Sequence, residues 1–191
     1  MKKIILASSS PRRKQLLKQI GLEFVVDSSD IDEILNPRYK PRKQVEELSR
    51  QKAEAIAVKY DDAIIIAADT MIALGDEVLG KPTDEKSARK MLQKLSGKSH
   101  SIITGMTIID TKSKRSTTLS VETIIYFQKL TPKEITNYIR LAKPFDKAGS
   151  YAIQDRGAIF IKRLEGDYFS SVGLPLFHLA KELKKLGIEV L

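Results

Sequence analysis

Cysteine and tryptophan are both absent from this 191-residue chain. Without cysteine there is no disulfide, no thiolate metal site and no cysteine nucleophile, and the absence fits a reducing, cytoplasmic setting. Long apolar runs are missing as well. The run behind Lys2-Lys3 extends only from Ile4 to Ala7, too short for a signal peptide, and no segment approaches the length of a membrane span. No RNP-like aromatic pattern, zinc finger or helix-turn-helix is present. Of the two histidines, His100 opens a strand and His178 sits beside an apolar helix stripe. Neither has a cysteine, histidine or acid at ligand spacing, so both read as structural.

What is present describes a globular protein. Hydrophobic residues make up 42% and charged residues 30%, enough for a core and expected to form a single domain over residues 1–191. The net charge is +9. The basic clusters Lys112-Ser113-Lys114-Arg115 and Lys181 to Lys185 read as solvated faces, which speaks against a nucleic-acid groove, and the charge equally allows an anionic small-molecule substrate or nothing beyond solubility.

The stretch Ile4 to Arg13 is the most informative. A short strand ends in Ser8-Ser9-Ser10, and Pro11 then opens a helix to Ile20, with Ser10 as its expected N-cap. Arg12 and Arg13 fall in its first turn, where the helix dipole disfavours cations. A bound anion would reverse that cost, because backbone N–H groups, serine hydroxyls and guanidinium forks would share one phosphate-sized space. The alternative is an ordinary turn with solvated arginines.

Farther along, Leu22 to Val26 reads as a strand after Gly21. Asp27, Asp30, Asp32 and Glu33 follow as an acidic loop that suits either a divalent cation or a plain turn. Pro41 opens a helix to about Tyr60, on which Lys52, near the buried face, either snorkels or meets an anion, and by itself reads as snorkelling. Ala63 to Leu74 reads as a strand buried on both faces. Asp69 interrupts it, and a carboxylate there is costly unless paired, protonated or metal-bound. If the strand stopped at Ala68, Asp69 would simply be exposed. Gly75 to Val78 reads as a hairpin turn and Asp84 to Leu95 as a helix. Ser99 to Asp110 and Ser116 to Gln128 read as a strand pair, and Thr131 caps a helix to Leu141. Pro144 to Gly157 is a long, weakly periodic loop of the kind that carries function. A strand from Ala158 to Leu164 and a terminal helix complete an α/β chain whose sheet is mixed.

Leu6-Ala7-Ser8-Ser9-Ser10-Pro11-Arg12-Arg13, Ala67-Ala68-Asp69-Thr70, Gly80-Lys81-Pro82, His100 with Thr104-Gly105, and Asp146 to Gln154 together resemble the Maf family of nucleotide pyrophosphatases. The resemblance runs through nearly the whole chain in order. It implies a mixed twisted sheet flanked by helices, like the inosine triphosphate pyrophosphatases, two-lobed with a central cleft. It also implies hydrolysis of nucleoside triphosphates to the monophosphate and pyrophosphate with a divalent cation, Mg²⁺ or Mn²⁺. By the same resemblance Asp69 is the general base. Ser8, Arg12, Arg13, Lys52 and Lys81 hold phosphates, and Glu33 shares the metal with Asp69. Arg12, Thr70 and Gln154 set base specificity. The loop Asp146 to Gln154 is similar to the branch acting on dTTP and UTP, despite Ser150 and Ala152. A 7-methyl-GTP pyrophosphatase and a non-catalytic nucleotide- or nucleic-acid-binding regulator of cell division are the rival readings. A homodimer is the commonest form if the chain assembles at all.

Overall fold

The computed structural model describes residues 2–28, 31 and 34–191. The fold is built around β3 (Ala63–Leu74), whose first half, Ala63 to Ala68, is fully buried as its apolar run requires. β1 (Lys3–Leu6) pairs with it in parallel, Ile4 opposite Ile64 and Leu6 opposite Ile66. β2 is only Val25–Val26 and lies parallel to β1. The expected strand from Leu22 is shorter because the Leu22 N–H is used to close the preceding helix, on the Leu17 carbonyl at 3.2 Å. On the other edge of β3 lies β5 (Ser99–Asp110), antiparallel, followed by β6 (Arg115–Phe127) and β7 (Ile161–Glu165). β7 starts later than Ala158 because Arg156–Phe160 forms a 3-10 turn, capped by the Asp155 carboxylate on the Arg156 N–H at 2.7 Å.

β4 (Glu77–Leu79) also pairs with β3, at Ile72 to Leu74. Since β5 runs along one edge of β3, β1 and β4 share the other. β1 takes it up to Ile66 and β4 takes it from Ile72, so among the described residues Ala67 to Met71 have no strand partner on that side beyond the Ala7 N–H to Ile66 O bond. This gap is where a site can form. It lies at the carboxyl end of a parallel strand, the usual place for ligands in α/β sheets.

Helices cover both faces. α1 (Pro11–Gln19), α3 (Glu85–Leu95) and α4 (Pro132–Ala142) precede a short α5 (Tyr168–Val172) and α6 (Leu176–Lys185), and these enclose the larger core with Ile64, Ile66 and Ala68. Among the described residues, α2 (Pro41–Ala57) is the helix that covers the opposite face. Its Ala53 and Ile56 pack with Ile5, Ile65 and Ala67, and its Val45 and Leu48 pack with Met71, Ala73 and Ile103. Capping boxes fix α3 (Asp84 with Ser87) and α4 (Thr131 with Glu134) as their sequences dictate. α5 is absent from the sequence reading. It depends on Asp167, whose carboxylate accepts from the Phe169 and Ser170 N–H groups at 2.8 and 3.1 Å. No helix among the described residues is long and apolar enough to cross a membrane.

Candidate active site

Strand alternation puts Asp69 on the α2 face of β3, between the two apolar patches, and Thr70 on the opposite face. Asp69 stays in register, opposite Gly105 of β5, so the strand does not stop at Ala68. The cost of a carboxylate in a strand is offset by α2. Lys52 Nζ donates to Asp69 Oδ1 at 2.5 Å, with side chains only 16% and 14% exposed. Lys52 therefore does not snorkel. Its reach depends on Gly105, where an added Cβ would lie 2.3 Å from the Val45 carbonyl oxygen. Only glycine lets the helix backbone come this close to the sheet, at the register partner of Asp69.

The end of β1 forms the adjoining wall. Ser8 is buried, and its Oγ accepts from Arg13 Nη1 at 2.9 Å and from the Ser10 N–H at 3.3 Å. Arg13 also donates from Nε to the Gly173 carbonyl at 2.9 Å and from Nη2 to Thr70 Oγ1 at 3.3 Å. One guanidinium thus ties β1, β3 and the end of α5 together. Thr70 continues the network to Thr104, 2.9 Å away, which donates to the Ser170 carbonyl at 2.8 Å. Ser10 takes the N-cap position of α1, but its side chain makes no capping bond and no acid lies in the first turn. The expected cap is corrected here: Ser10 holds the N-cap position, but its side chain accepts from none of the N-terminal N–H groups of α1.

Ser8, Ser10, Arg13, Lys52, Asp69 and Thr70 line one cavity of 680 Å³, within the ordinary range for small-molecule sites. Arg12, Lys81 and Gln154 line it too, from α1, the segment after β4 and the loop before β7. So do Asp146 and Lys147, which the sequence reading placed in a functional loop without giving them a role. Their signal was a charged pair inside that non-periodic loop. Lys147 Nζ donates to Asp146 Oδ1 at 2.7 Å. That hydrogen bond, outweighing partial burial and aided by the more distant Arg12, holds the Asp146 carboxyl below its usual range. A separate depression of 440 Å³ over Gly97, Tyr126 and Arg163 contains no carboxylate and shares no residue with the cleft.

Asp30, Asp32 and Glu33, the expected metal-binding stretch, lie outside the described residues. Asp27, before them, is bonded to Lys59 and to the Tyr60 hydroxyl, both at 3.0 Å, and so serves as a staple. Among the described residues no three His, Cys, Asp or Glu side chains gather as a metal cage. His100 is structural as expected. It is buried, within 2.6 Å of the Tyr151 hydroxyl, and burial lowers its pKa to about 4.

The Maf-like protein family model matches residues 3–186. The chain belongs to the Maf family. Its relatives span it end to end. A protein of Pelotomaculum thermopropionicum named dTTP/UTP pyrophosphatase is 46% identical over 191 residues, covering 100% of both chains. One of the same name from Geobacillus sp. (strain WCH70) is 47% identical over 188 residues, covering 98% of this chain and 100% of that one. Among solved structures, the Staphylococcus aureus Ham1 protein overlays 66% of this chain and 72% of its own at TM-score 0.47 and 16% identity, too loose a likeness to place any residue. Four of the five Maf motifs quoted from the sequence reach the cleft, at the end of β1, the middle of β3, the segment after β4 and the Asp146–Gln154 loop, while His100 with Thr104-Gly105 lies on β5 and does not line it.

Proposed function

We propose that this Maf-family chain hydrolyses nucleoside triphosphates, preferably dTTP and UTP, to the monophosphate and pyrophosphate. The observation that carries the reading is the Lys52–Asp69 pair, fixed in a gap of the sheet beside an uncapped helix N-terminus and a wall of cations. A cleft that only binds phosphates gains nothing from a carboxylate, which repels them. A cleft that hydrolyses them needs a proton acceptor beside the phosphorus. The pyrimidine preference rests on the relatives, 44–47% identical along their length and named for dTTP and UTP.

In this reading Asp69 takes the proton of the attacking water, and Lys52 keeps its carboxylate aimed. The N–H groups at the start of α1, Ser8 and Arg12 receive phosphate oxygens, with Arg13 held at the same wall by its bonds to Ser8, Thr70 and Gly173. Lys81 neutralises charge on the departing pyrophosphate. Arg12, Thr70 and Gln154 contact the nucleoside and set base choice. The Asp69 carboxylate facing the cleft fits Mg²⁺ or Mn²⁺, because such ions are held by one or two carboxylates together with substrate phosphates rather than by a full protein cage. Asp69, with Glu33, would hold the ion, which supplies Lewis-acid polarisation and charge neutralisation when bound. The whole of residues 1–191 acts as one catalytic domain in the reducing cytoplasm, where its nucleotide substrates are found.

The test is pyrophosphate release by purified protein with Mg²⁺ or Mn²⁺, across dTTP, UTP, CTP, the purine triphosphates and 7-methyl-GTP. Turnover led by dTTP and UTP and abolished by EDTA is expected. Preference for 7-methyl-GTP would overturn the base assignment but keep the mechanism. No turnover on any of them would leave a binding protein.

A further inference from the structure

Lys147 is the cation in the cleft that no role above uses. Its side chain is 14% exposed, whereas that of its partner Asp146 is 70% exposed. A lysine buried for structural reasons is expected to face a buried acid, so that one strong contact offsets both desolvation costs. Here the acid is the preceding residue and stays largely hydrated. Such a pair is weak and opens easily. The lysine backbone, by contrast, is fixed. The Ser150 N–H bonds the Lys147 carbonyl at 3.1 Å, and the Gly149 N–H bonds the Gly80 carbonyl at 3.0 Å, next to Lys81. Gly149 has φ +62, and a Cβ there would come within 2.9 Å of Ile72 Cδ1. The turn therefore sits tightly on β3 and presents Lys147 to the same cavity as Arg12 and Lys81. Asp146 lies within the field of two of these cations, Lys147 first and Arg12 more weakly.

We infer that Lys147 binds the polyphosphate of the substrate, and that Asp146 is a placeholder anion, held by Lys147 and displaced when a phosphate chain enters. The inference rests on the proposed pyrophosphatase reading, yet it is testable apart from turnover. Calorimetric titration with inorganic tripolyphosphate at fixed salt reads the lysine directly. K147M should weaken binding by about tenfold or more, the effect of losing one charge-assisted hydrogen bond, and K147R should restore most of it. D146N should bind severalfold more tightly, because no carboxylate then competes. Thermal melting of each variant accompanies the titration. K147M binding like the unchanged protein, with only its melting temperature lowered, would make the pair structural and overturn the inference. Unchanged or weaker binding by D146N would overturn the placeholder. If dTTP and UTP are not turned over while K147M still loses tripolyphosphate affinity, the enzymatic reading fails and this one stands. If turnover is present and K147M binding is unaltered, the reverse holds.

Discussion

Asp69 and Lys52 are the smallest unit from which the site can be argued. Each is an expensive choice alone: a carboxylate in the most apolar strand, and a lysine on the buried face of the helix that covers it. Together, at 2.5 Å, each supplies what the other lacks. Lys52→Met takes the ammonium away from a partly buried carboxylate, whereas Asp69→Asn only removes a charge facing Lys52, so the two single variants should differ. Asp69→Asn keeps a polar side chain of the same shape, and the long Lys52 stem can turn its ammonium toward the cleft, so melting should change little. Turnover should fall by about 10² to 10⁴, the usual range for a lost general base. Lys52→Met strands a short carboxylate that cannot move away, and should destabilise by about 1–3 kcal/mol as well as slow the reaction. Pyrophosphate release and thermal melting on both variants check this. Near-normal turnover by Asp69→Asn would remove the carboxylate from the mechanism.

At the level of elements, the site depends on how closely α2 lies on the sheet, and Gly105 sets that distance. Gly105→Ala would place a Cβ 2.3 Å from the Val45 carbonyl, a contact with backbone that no rotamer relieves. The helix must lift, at a cost of about 1–3 kcal/mol or more, and it carries Lys52 away from Asp69. Melting and turnover should therefore fall together, and a variant with full stability and activity would show that the approach is not required. This dependence explains what could be read from the sequence and what could not. β3 and β5 match their expected bounds, Ala63–Leu74 and Ser99–Asp110, because continuous apolar character and turn residues at their ends are local signals. Asp69 was visible as an anomaly in such a run. Lys52 was not, because helix periodicity says only that it is near the buried face, and its partner is set by the docking of α2. Arg12 and Arg13 read as a pair of forks on one anion, but residues adjacent in a helix diverge by about 100°. Arg13 spends its hydrogen bonds on Ser8, Thr70 and Gly173, which only the fold brings together.

Over the whole molecule, buried titratable groups decide how stability answers to acid. His100 is packed edge-on against Phe127 and Tyr151, and desolvation lowers its pKa to about 4 from an ordinary value of 6.5. Between those values the unfolded chain binds a proton that the folded chain refuses. Stability is therefore unaffected above about pH 6.5 and declines as pH falls toward 4. Asp110 acts in a lower window. Burial would push its carboxyl up, but hydrogen bonds from Lys2, at 2.6 Å, and from Ser113 outweigh that and hold it at about 2, below the ordinary 3.8. Its stabilising contribution, about 2 kcal/mol by linkage, is present above pH 3.8 and is lost as pH falls through 2. Acid should thus loosen the protein in two steps that belong to different parts of the fold: the aromatic packing under the Asp146–Gln154 loop first, the Lys2–Asp110 tie between the start of β1 and the end of β5 second. Denaturant titrations from pH 7 to 2 should show both. His100→Gln should flatten the slope between pH 6.5 and 4 while leaving the lower one in place, and Asp110→Asn should do the opposite. An unaltered upper slope in His100→Gln would assign that loss to other groups.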